Sequence, residues 1–422
     1  MHGSRIAAVG HYQPAKILTN EDLAGLVDTS DEWIRSRVGI RTRHIAGPEE
    51  PVDELAAHAG GKALAAAGLT PDAIDLVLVA TSTAIDRSPN MAARVAARLG
   101  IPSPSAMDIN VVCAGFTHAL ATADHTVRAG AATRALVIGA DKMSEVTDWT
   151  DRTSCVLTGD GAGAAVVEAC GPGEEAGIGP VLWGSVPEMG HAVRIEGTPP
   201  RFAQEGQSVY RWATTQLPPL ARAACERAGL TPADLAGLVL HQANLRIIEP
   251  LAERIGAVNA VVARDVVDSG NTSAASIPMA LSKLVSAESP STPSTRASGR
   301  HAESTHRTPR RPPCGRTTGL RGRALAPGAE HRLRLRGLTR QLPLIVVHLG
   351  LYDDEGAADV QRAGDGSGRS GAHGPQEVRL GFDRRSGRVL GQVEERAHRA
   401  DRVGERHHRP AVEHSAHRAQ FR

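Results

Sequence analysis

Apolar residues in this chain gather in two ways, as short unbroken runs and as stripes at three- and four-residue steps. The run Met107-Asp108-Ile109-Asn110-Val111-Val112 reads as a strand. It gives way at Cys113 to a stretch in which Phe116, Leu120, Ala123 and Val127 recur at helical spacing, which is the buried stripe of a helix with the cysteine at its start. Leu76-Val77-Leu78-Val79, Leu238-Val239-Leu240 and residues 164–167 read as further buried strands, as does the apolar run 258–267. The opening Met1-His2-Gly3-Ser4-Arg5-Ile6 enters a strand-like run with no apolar leader core, and no run of about 18 apolar residues occurs, so neither secretion nor membrane spanning is expected and the chain reads as cytoplasmic.

One pattern occurs twice. Ala67-Gly68-Leu69-Thr70-Pro71 leads through Ile74-Asp75 into the strand beginning at Leu76, and Ala228-Gly229-Leu230-Thr231-Pro232 leads through Leu235 into Leu238-Val239-Leu240-His241. An Ala-rich helical stretch precedes each copy. A duplicated unit of this kind predicts two similar α/β halves related by a pseudo-twofold axis, divided here at residues 1–170 and 171–285.

Composition changes the picture beyond residue 285. Residues 1–285 hold 23 basic and 31 acidic residues, net −8, whereas the remaining 137 hold 25 and 15, net +10, and together they return the +2 of the whole chain. The last lysine is Lys283. Residues 286–300 mix Ser, Thr, Pro and Arg, and the only apolar patterning in the tail lies at 342–352, so residues 286–422 are expected to be irregular or disordered. A shift of reading frame near residue 285 is the favoured explanation of two such different compositions, with a disordered extension or a fused second module as the alternatives. An arginine-rich arm for nucleic acid is disfavoured, because aromatic residues for base stacking are almost absent there.

The candidate chemistry lies in the first 285 residues. Cys113 at a helix start would face unpaired backbone N–H groups and the positive end of the helix dipole, which lower a thiol pKa by roughly one unit or more. A buried inert cysteine is the plain alternative. His241 follows one strand, and Asn271, in Gly270-Asn271-Thr272-Ser273-Ala274-Ala275-Ser276, follows the run 258–267, so each is expected at a strand's carboxyl end, where ligands bind in α/β folds. A thiol, an imidazole and a carboxamide at such ends suit acyl transfer through a thioester. Taken singly, the asparagine could be a turn or cap residue and the histidine a surface residue. Five cysteines at unrelated spacing give neither a zinc pattern nor a disulfide framework, and Gly159-Asp160-Gly161-Ala162-Gly163 lacks the lysine and helix of a phosphate loop.

Asn110-Val111-Val112-Cys113-Ala114-Gly115-Phe116, His241-Gln242-Ala243-Asn244-Leu245-Arg246-Ile247 and the segment 270–276 resemble, in order and spacing, the three active-site segments of beta-ketoacyl-acyl-carrier-protein synthase III. Asp31-Glu32-Trp33-Ile34, Gly39-Ile40-Arg41, Asp151-Arg152-Thr153 and 159–163 are similar to further stretches of that family, and the resemblance runs to about residue 285. It implies a thiolase-like fold and a homodimeric condensing enzyme with no metal or redox cofactor, acting on acyl-coenzyme A and malonyl-acyl carrier protein to initiate fatty acid synthesis. By resemblance Cys113, His241 and Asn271 are catalytic. Trp33, Arg37, Arg152 and Asn244 hold coenzyme A and its pantetheine arm, while Gln242, Ala243 and Arg246 meet the carrier protein. Without the resemblance, Trp33 reads as a packing residue and Arg37, Arg41 and Arg43 as a solvated charged face.

In the same family a loop following Leu76-Val77-Leu78-Val79 reaches the neighbouring subunit's primer pocket. Acetyl-selective members carry phenylalanine before a proline there, and this chain has Ser88 before Pro89, which implies a roomier pocket. The family's closing glycine-rich hairpin has no counterpart after residue 285, so two strands of the second half are expected to be missing. The alternatives left open are a starter-unit synthase of a polyketide pathway, an acyltransferase of the same fold, and an inactive homologue with a basic, partner-binding tail.

Overall fold

The computed structural model describes residues 3–86 and 88–287, with short strands at 344–346, 381–382 and 389–390. The chain forms two compact units, Met1–Ala357 and Ala358–Arg422.

In the first unit, β1 (Ser4–Tyr12) leads to the short pair β2 (Ile17–Thr19) and β3 (Thr42–His44), which flank α1 (Asn20–Ala24) and α2 (Asp31–Val38). Next come α3 (Val52–Ala67), β4 (Leu76–Ala80), α4 (Met91–Leu99), β5 (Ser105–Ile109), α5 (Gly115–Arg128), β6 (Arg134–Lys142), α6 (Arg152–Cys155) and β7 (Asp160–Ala169). After the antiparallel pair β8 (Val193–Glu196) and β9 (Arg201–Gln204) follow α7 (Gly206–Arg227), β10 (Gly237–Val239), α8 (Leu245–Ile255), β11 (Val261–Val262), α9 (Val266–Ser269), α10 (Ser276–Ala287) and β12 (Leu344–Val346). The second unit carries the antiparallel pair β13 (Gly381–Phe382) and β14 (Val389–Leu390).

The main sheet has the order β1-β7-β6-β4-β5, with β5, β4 and β6 mutually parallel and β7 antiparallel to both its neighbours. β4 and β6 read as continuous apolar runs because both their faces are covered. α3 and α4 contribute to the core on one face, where Leu55, Ala59, Ala63 and Val95 pack with Val77, Val79 and Ile138. On the other face α5 supplies the expected stripe of Phe116, Leu120, Ala123 and Val127, packed with Ile277, Leu281 and Val285 of α10. Sequence and packing agree there residue for residue.

The duplicated pattern yields matching local structures. Gly68 and Gly229 end their helices with φ of 65° and 72°, a 3₁₀ turn begins at each proline, and the strands β4 and β10 follow. Glycine adopts that left-handed backbone without the Cβ clash other residues meet. The second sheet, β11-β10-β12, is parallel like the β5-β4-β6 portion of the first. β12 falls in the apolar run expected at 342–352, so the second half is less bare of strands than the sequence suggested. Apart from the short strands, the expectation for the tail beyond residue 287 lies outside the described residues.

The apolar run 258–267 is not one strand. β11 occupies only Val261–Val262, and α9 begins at Val266. The glycine-rich 159–163 stretch, in contrast, enters β7 itself: a Cβ on Gly163 would lie 2.5 Å from the Met279 nitrogen, so its glycine lets α10 rest directly on the strand.

Candidate active site

Two strained turns face each other where α5 and α10 begin. One 3₁₀ turn spans Val112–Ala114 and is entered at Val112 with φ 49°; the other spans Ser273–Ala275 and is entered at Ser273 with φ 50°. Positive φ in a β-branched residue such as valine is a genuine outlier, with a cost of order 1–3 kcal/mol that surrounding packing must offset. Glycines permit that packing. A Cβ on Gly115 would lie 3.3 Å from the Ala274 Cβ, and one on Gly139 of β6 would lie 2.2 Å from the Ala274 carbonyl oxygen.

Cys113 is thereby carried to the segment 271–276, and so are the other two candidates. The side chain of Ser273 hydrogen-bonds the Cys113 thiol, and the Ser273 backbone N–H donates to Asn271 Oδ1 over 2.9 Å. His241, just beyond β10, has its Nδ1 2.7 Å from Ser276 Oγ. His241 and Asn271 are 5% and 8% exposed, so both are enclosed polar groups aimed at a short common stretch of chain. The expected position of Asn271 at a strand's carboxyl end is corrected: it follows α9, and the backbone at 271 instead forms a parallel bridge with Thr158 beside β7.

The expected depression of the Cys113 pKa is also overturned. Burial, helped by the nearby Asp141 carboxylate, pushes the thiol up to about 12 against the lowering hydrogen bonds from Ser273 and the cysteine's own backbone. Cys113 belongs to the turn ahead of α5, and its partial exclusion from water outweighs the helix end. The thiol is therefore the resting form. Burial lowers the His241 pKa to about 4, which keeps the ring neutral near pH 7.

Asp141, at the end of β6, was not singled out by sequence reasoning. It is fully buried, and its Oδ1 accepts hydrogen bonds from Ser82 N at 2.8 Å, Thr83 Oγ1 at 3.0 Å and Thr81 Oγ1 at 3.1 Å, while Oδ2 accepts from Ala274 N at 2.9 Å. One carboxylate thus ties the start of the 81–90 loop to the turn bearing Asn271. Burial raises its own pKa, against these hydrogen bonds. Ser276 was quoted within a motif but given no role, since nothing in a linear sequence pairs it with His241.

The residues expected to hold the substrate's remote end divide into two groups. Trp33 of α2 packs partly into the core, and the guanidinium carbons of Arg37 and Arg152 lie 5.9 and 5.0 Å from its ring centroid. These are cation–π contacts at an exposed rim, and Arg152 also donates to the Asp28 carbonyl at 2.8 Å. Arg37 and Arg41 are exposed, but Arg43 is not the solvated residue expected. It is 0% exposed, donates to Asn20 Oδ1 at 2.7 Å and to the Val156 carbonyl, and has its pKa lowered to about 10 by burial.

Asn244 caps α8, its Oδ1 accepting from Ile247 N at 3.1 Å, and among the described residues no hydrogen bond engages its amide nitrogen. Gln242 departs from the expected carrier-protein surface. It is 1% exposed, with its amide spent on the Leu240 and Ala263 carbonyls and on the Val266 N–H. Ala243 is half-buried, and Arg246 stands exposed on the first turn of α8. Ser88 is exposed in the 81–90 loop. Among the described residues, no group of three or more His, Cys, Asp or Glu is placed to hold a metal, and no helix is long and apolar enough to cross a membrane.

Residues 107–187 match the family 3-Oxoacyl-[acyl-carrier-protein (ACP)] synthase III, and residues 225–292 match its C-terminal part. Beta-ketoacyl-[acyl-carrier-protein] synthase III 2 of Streptomyces avermitilis is 88% identical over 285 residues, covering 68% of this chain and 90% of that relative. Synthase III 4 of Streptomyces coelicolor is 85% identical, covering 67% and 90%. Among solved structures, the priming beta-ketosynthase of the R1128 polyketide biosynthetic pathway aligns with a TM-score of 0.65 at 39% identity over 67% of this chain and 88% of that one. The 3-oxoacyl-[acyl-carrier-protein] synthase III of Aquifex aeolicus gives 0.64 at 38% identity, over 68% and 91%. The main sheet and its partner are therefore those of the thiolase-like fold.

Proposed function

Because the chain belongs to the 3-oxoacyl-[acyl-carrier-protein] synthase III family of condensing acyltransferases, we propose that it joins an acyl-coenzyme A primer to malonyl-acyl carrier protein in the cytoplasm and so initiates fatty acid synthesis. The observation that carries this reading is the approach of Cys113, Asn271 and His241 to the single segment 271–276. The Cys113 sulfur attacks the primer's thioester carbon, the carbon–sulfur bond to coenzyme A breaks, and coenzyme A leaves as its thiol with the proton lost by Cys113. Because the thiol is the resting form, that proton leaves in concert with attack, not beforehand.

In the second stage the malonyl thioester loses carbon dioxide, and the electron pair of the broken carbon–carbon bond becomes an enolate. Its carbon attacks the acyl group on Cys113, whose sulfur leaves as thiolate and takes a proton from water. His241 and Asn271 donate hydrogen bonds to the thioester oxygen while it carries negative charge, and their enclosure strengthens that interaction. Trp33, Arg37 and Arg152 receive the adenine and phosphates of coenzyme A, Asn244 lines the pantetheine path, and Arg246 faces the acidic carrier protein. A starter-unit role in a polyketide pathway uses the same chemistry, and the likeness to the R1128 priming ketosynthase favours it as a second reading. Turnover with fatty-acid carrier protein but not with a polyketide carrier supports the first reading, and the reverse result the second.

Two expectations accompany the proposal. Among the described residues β5 is one of the two edges of the main sheet and leaves Met107 42% exposed, which suits pairing with a second copy; sedimentation should therefore find a dimer, and a monomer at all concentrations would contradict it. The small Ser88 side chain in the loop offered to the partner's primer pocket leaves room for primers longer than acetyl. Each further methylene that fits gains about 0.8 kcal/mol, close to fourfold in binding. Competition between acetyl- and butyryl-coenzyme A for Cys113 should favour butyryl, and Ser88→Phe should reverse the order; a strong acetyl preference unchanged by Ser88→Phe would remove Ser88 from the pocket.

A further inference from the structure

His241 is enclosed, and its ring has two nitrogens of opposite use: the protonated one donates, the other accepts. Nδ1 lies 2.7 Å from Ser276 Oγ. Among the described residues no hydrogen bond engages Nε2, so that nitrogen is the one left to act on a substrate. Which proton it carries depends on which way the Ser276 hydroxyl points.

Three observations favour one direction. Ser276 Oγ accepts the backbone N–H of Gln242 at 3.3 Å, so one lone pair of the oxygen is already directed at a donor. Its hydroxyl hydrogen then requires an acceptor, and Nδ1 is the acceptor that the described hydrogen bonds offer. Ser276 is held at the first position of α10, 1% exposed, and the Gln242 side chain is itself locked to the Leu240 and Ala263 carbonyls, so neither partner is free to reorient toward water. A hydroxyl that donates to Nδ1 demands a lone pair there, which leaves the ring proton on Nε2.

We propose that Ser276 is a positioning residue that orients the His241 ring and holds its proton on Nε2, so that Nε2–H is the donor presented to the developing oxyanion. This rests on the condensing role assigned to His241 above. Ser276 touches no reacting atom; it works through the histidine, as outer-shell partners of functional histidines commonly do. Such a role accounts for a serine buried at the start of a helix whose neighbouring positions Ala275 and Ile277 are apolar.

Nitrogen-15 spectra of the histidine rings in the full chain, with His241 assigned by comparison with His241→Gln, test the proposal without reliance on turnover. The expected spectrum has the proton on Nε2 and a hydrogen-bonded, unprotonated Nδ1; a proton on Nδ1 in the wild-type chain would overturn it. Kinetics supply the second arm. Ser276→Ala should leave acylation of Cys113 by acyl-coenzyme A within about threefold while malonyl decarboxylation falls by roughly 10- to 100-fold, less than the loss from removing an oxyanion donor outright. Ser276→Thr, which keeps the hydroxyl, should recover most of that loss and serves if the alanine variant fails to fold. An equal fall in both stages for a folded Ser276→Ala protein would overturn the positioning role. If wild-type Cys113 takes up no acyl group at all, the functional reading fails, and the tautomer spectrum alone decides the role of Ser276.

Discussion

Cys113→Ala should abolish transfer of an acyl group from coenzyme A and lower condensation by roughly four orders of magnitude or more. No other described cysteine can take over. Cys155, Cys170 and Cys225 are 0%, 4% and 0% exposed, so all three are packed core residues, whereas Cys113 is partly exposed. The substitution removes one sulfur from a turn already constrained by Ala274 and Ser273, and the fold should persist. Release of free coenzyme A from an acyl-coenzyme A primer, followed with a thiol reagent, measures the loss. Full condensation activity in Cys113→Ala would contradict the assignment of the nucleophile.

His241→Ala should separate the two stages. Acylation of Cys113 should remain detectable, because the attack on the primer uses the sulfur and the primer's own leaving group. Decarboxylation and condensation should fall by about 10²- to 10³-fold, the cost of removing one donor from a preorganised oxyanion site. The pH dependence carries a sign of its own. The folded-state pKa of about 4 lies below the ordinary 6.5, so the ring stays neutral down to about pH 4 and the His241-dependent rate is lost only as pH falls through that value. For the same reason the stability contributed by a neutral buried ring is present above about pH 6.5 and is lost as pH falls toward 4. Labelled primer retained on the protein, set against product formed, distinguishes the stages; equal loss of both would count against a role confined to the second.

Much of this was legible in the sequence because its signals are local. The stripe from Phe116 to Val127 needs only helical periodicity, and the repeated Gly-Leu-Thr-Pro turn needs only that glycine tolerate positive φ where a helix ends. Other features arise from contacts distant in the chain. Arg43 and Gln242 looked solvent-facing because arginine and glutamine usually are, yet Arg43 is buried with donors on the Asn20 side chain and the Val156 carbonyl, and Gln242 with its amide on backbone groups of residues 240, 263 and 266. The raised Cys113 thiol follows first from burial and then from the Asp141 carboxylate, neither of which a helix-start argument contains. Val112 could not have been read as a strained residue, since the close approach of Ala274 to Gly139 and Gly115 that fixes its turn exists only in the fold. The α9 helix escaped notice because a four-residue helix inside an apolar run carries no periodicity of its own.

The central claim is that one cysteine receives an acyl group and then surrenders it to a decarboxylated malonyl unit. Intact-mass measurement of the full chain, first with acyl-coenzyme A and then after addition of malonyl-acyl carrier protein, tests both halves in one sample. The account predicts a mass gain of one acyl group on the peptide containing Cys113, discharged in the second step as 3-oxoacyl-carrier protein appears. A chain that gains no mass with any acyl-coenzyme A, or an adduct that persists in Cys113→Ala, would contradict it.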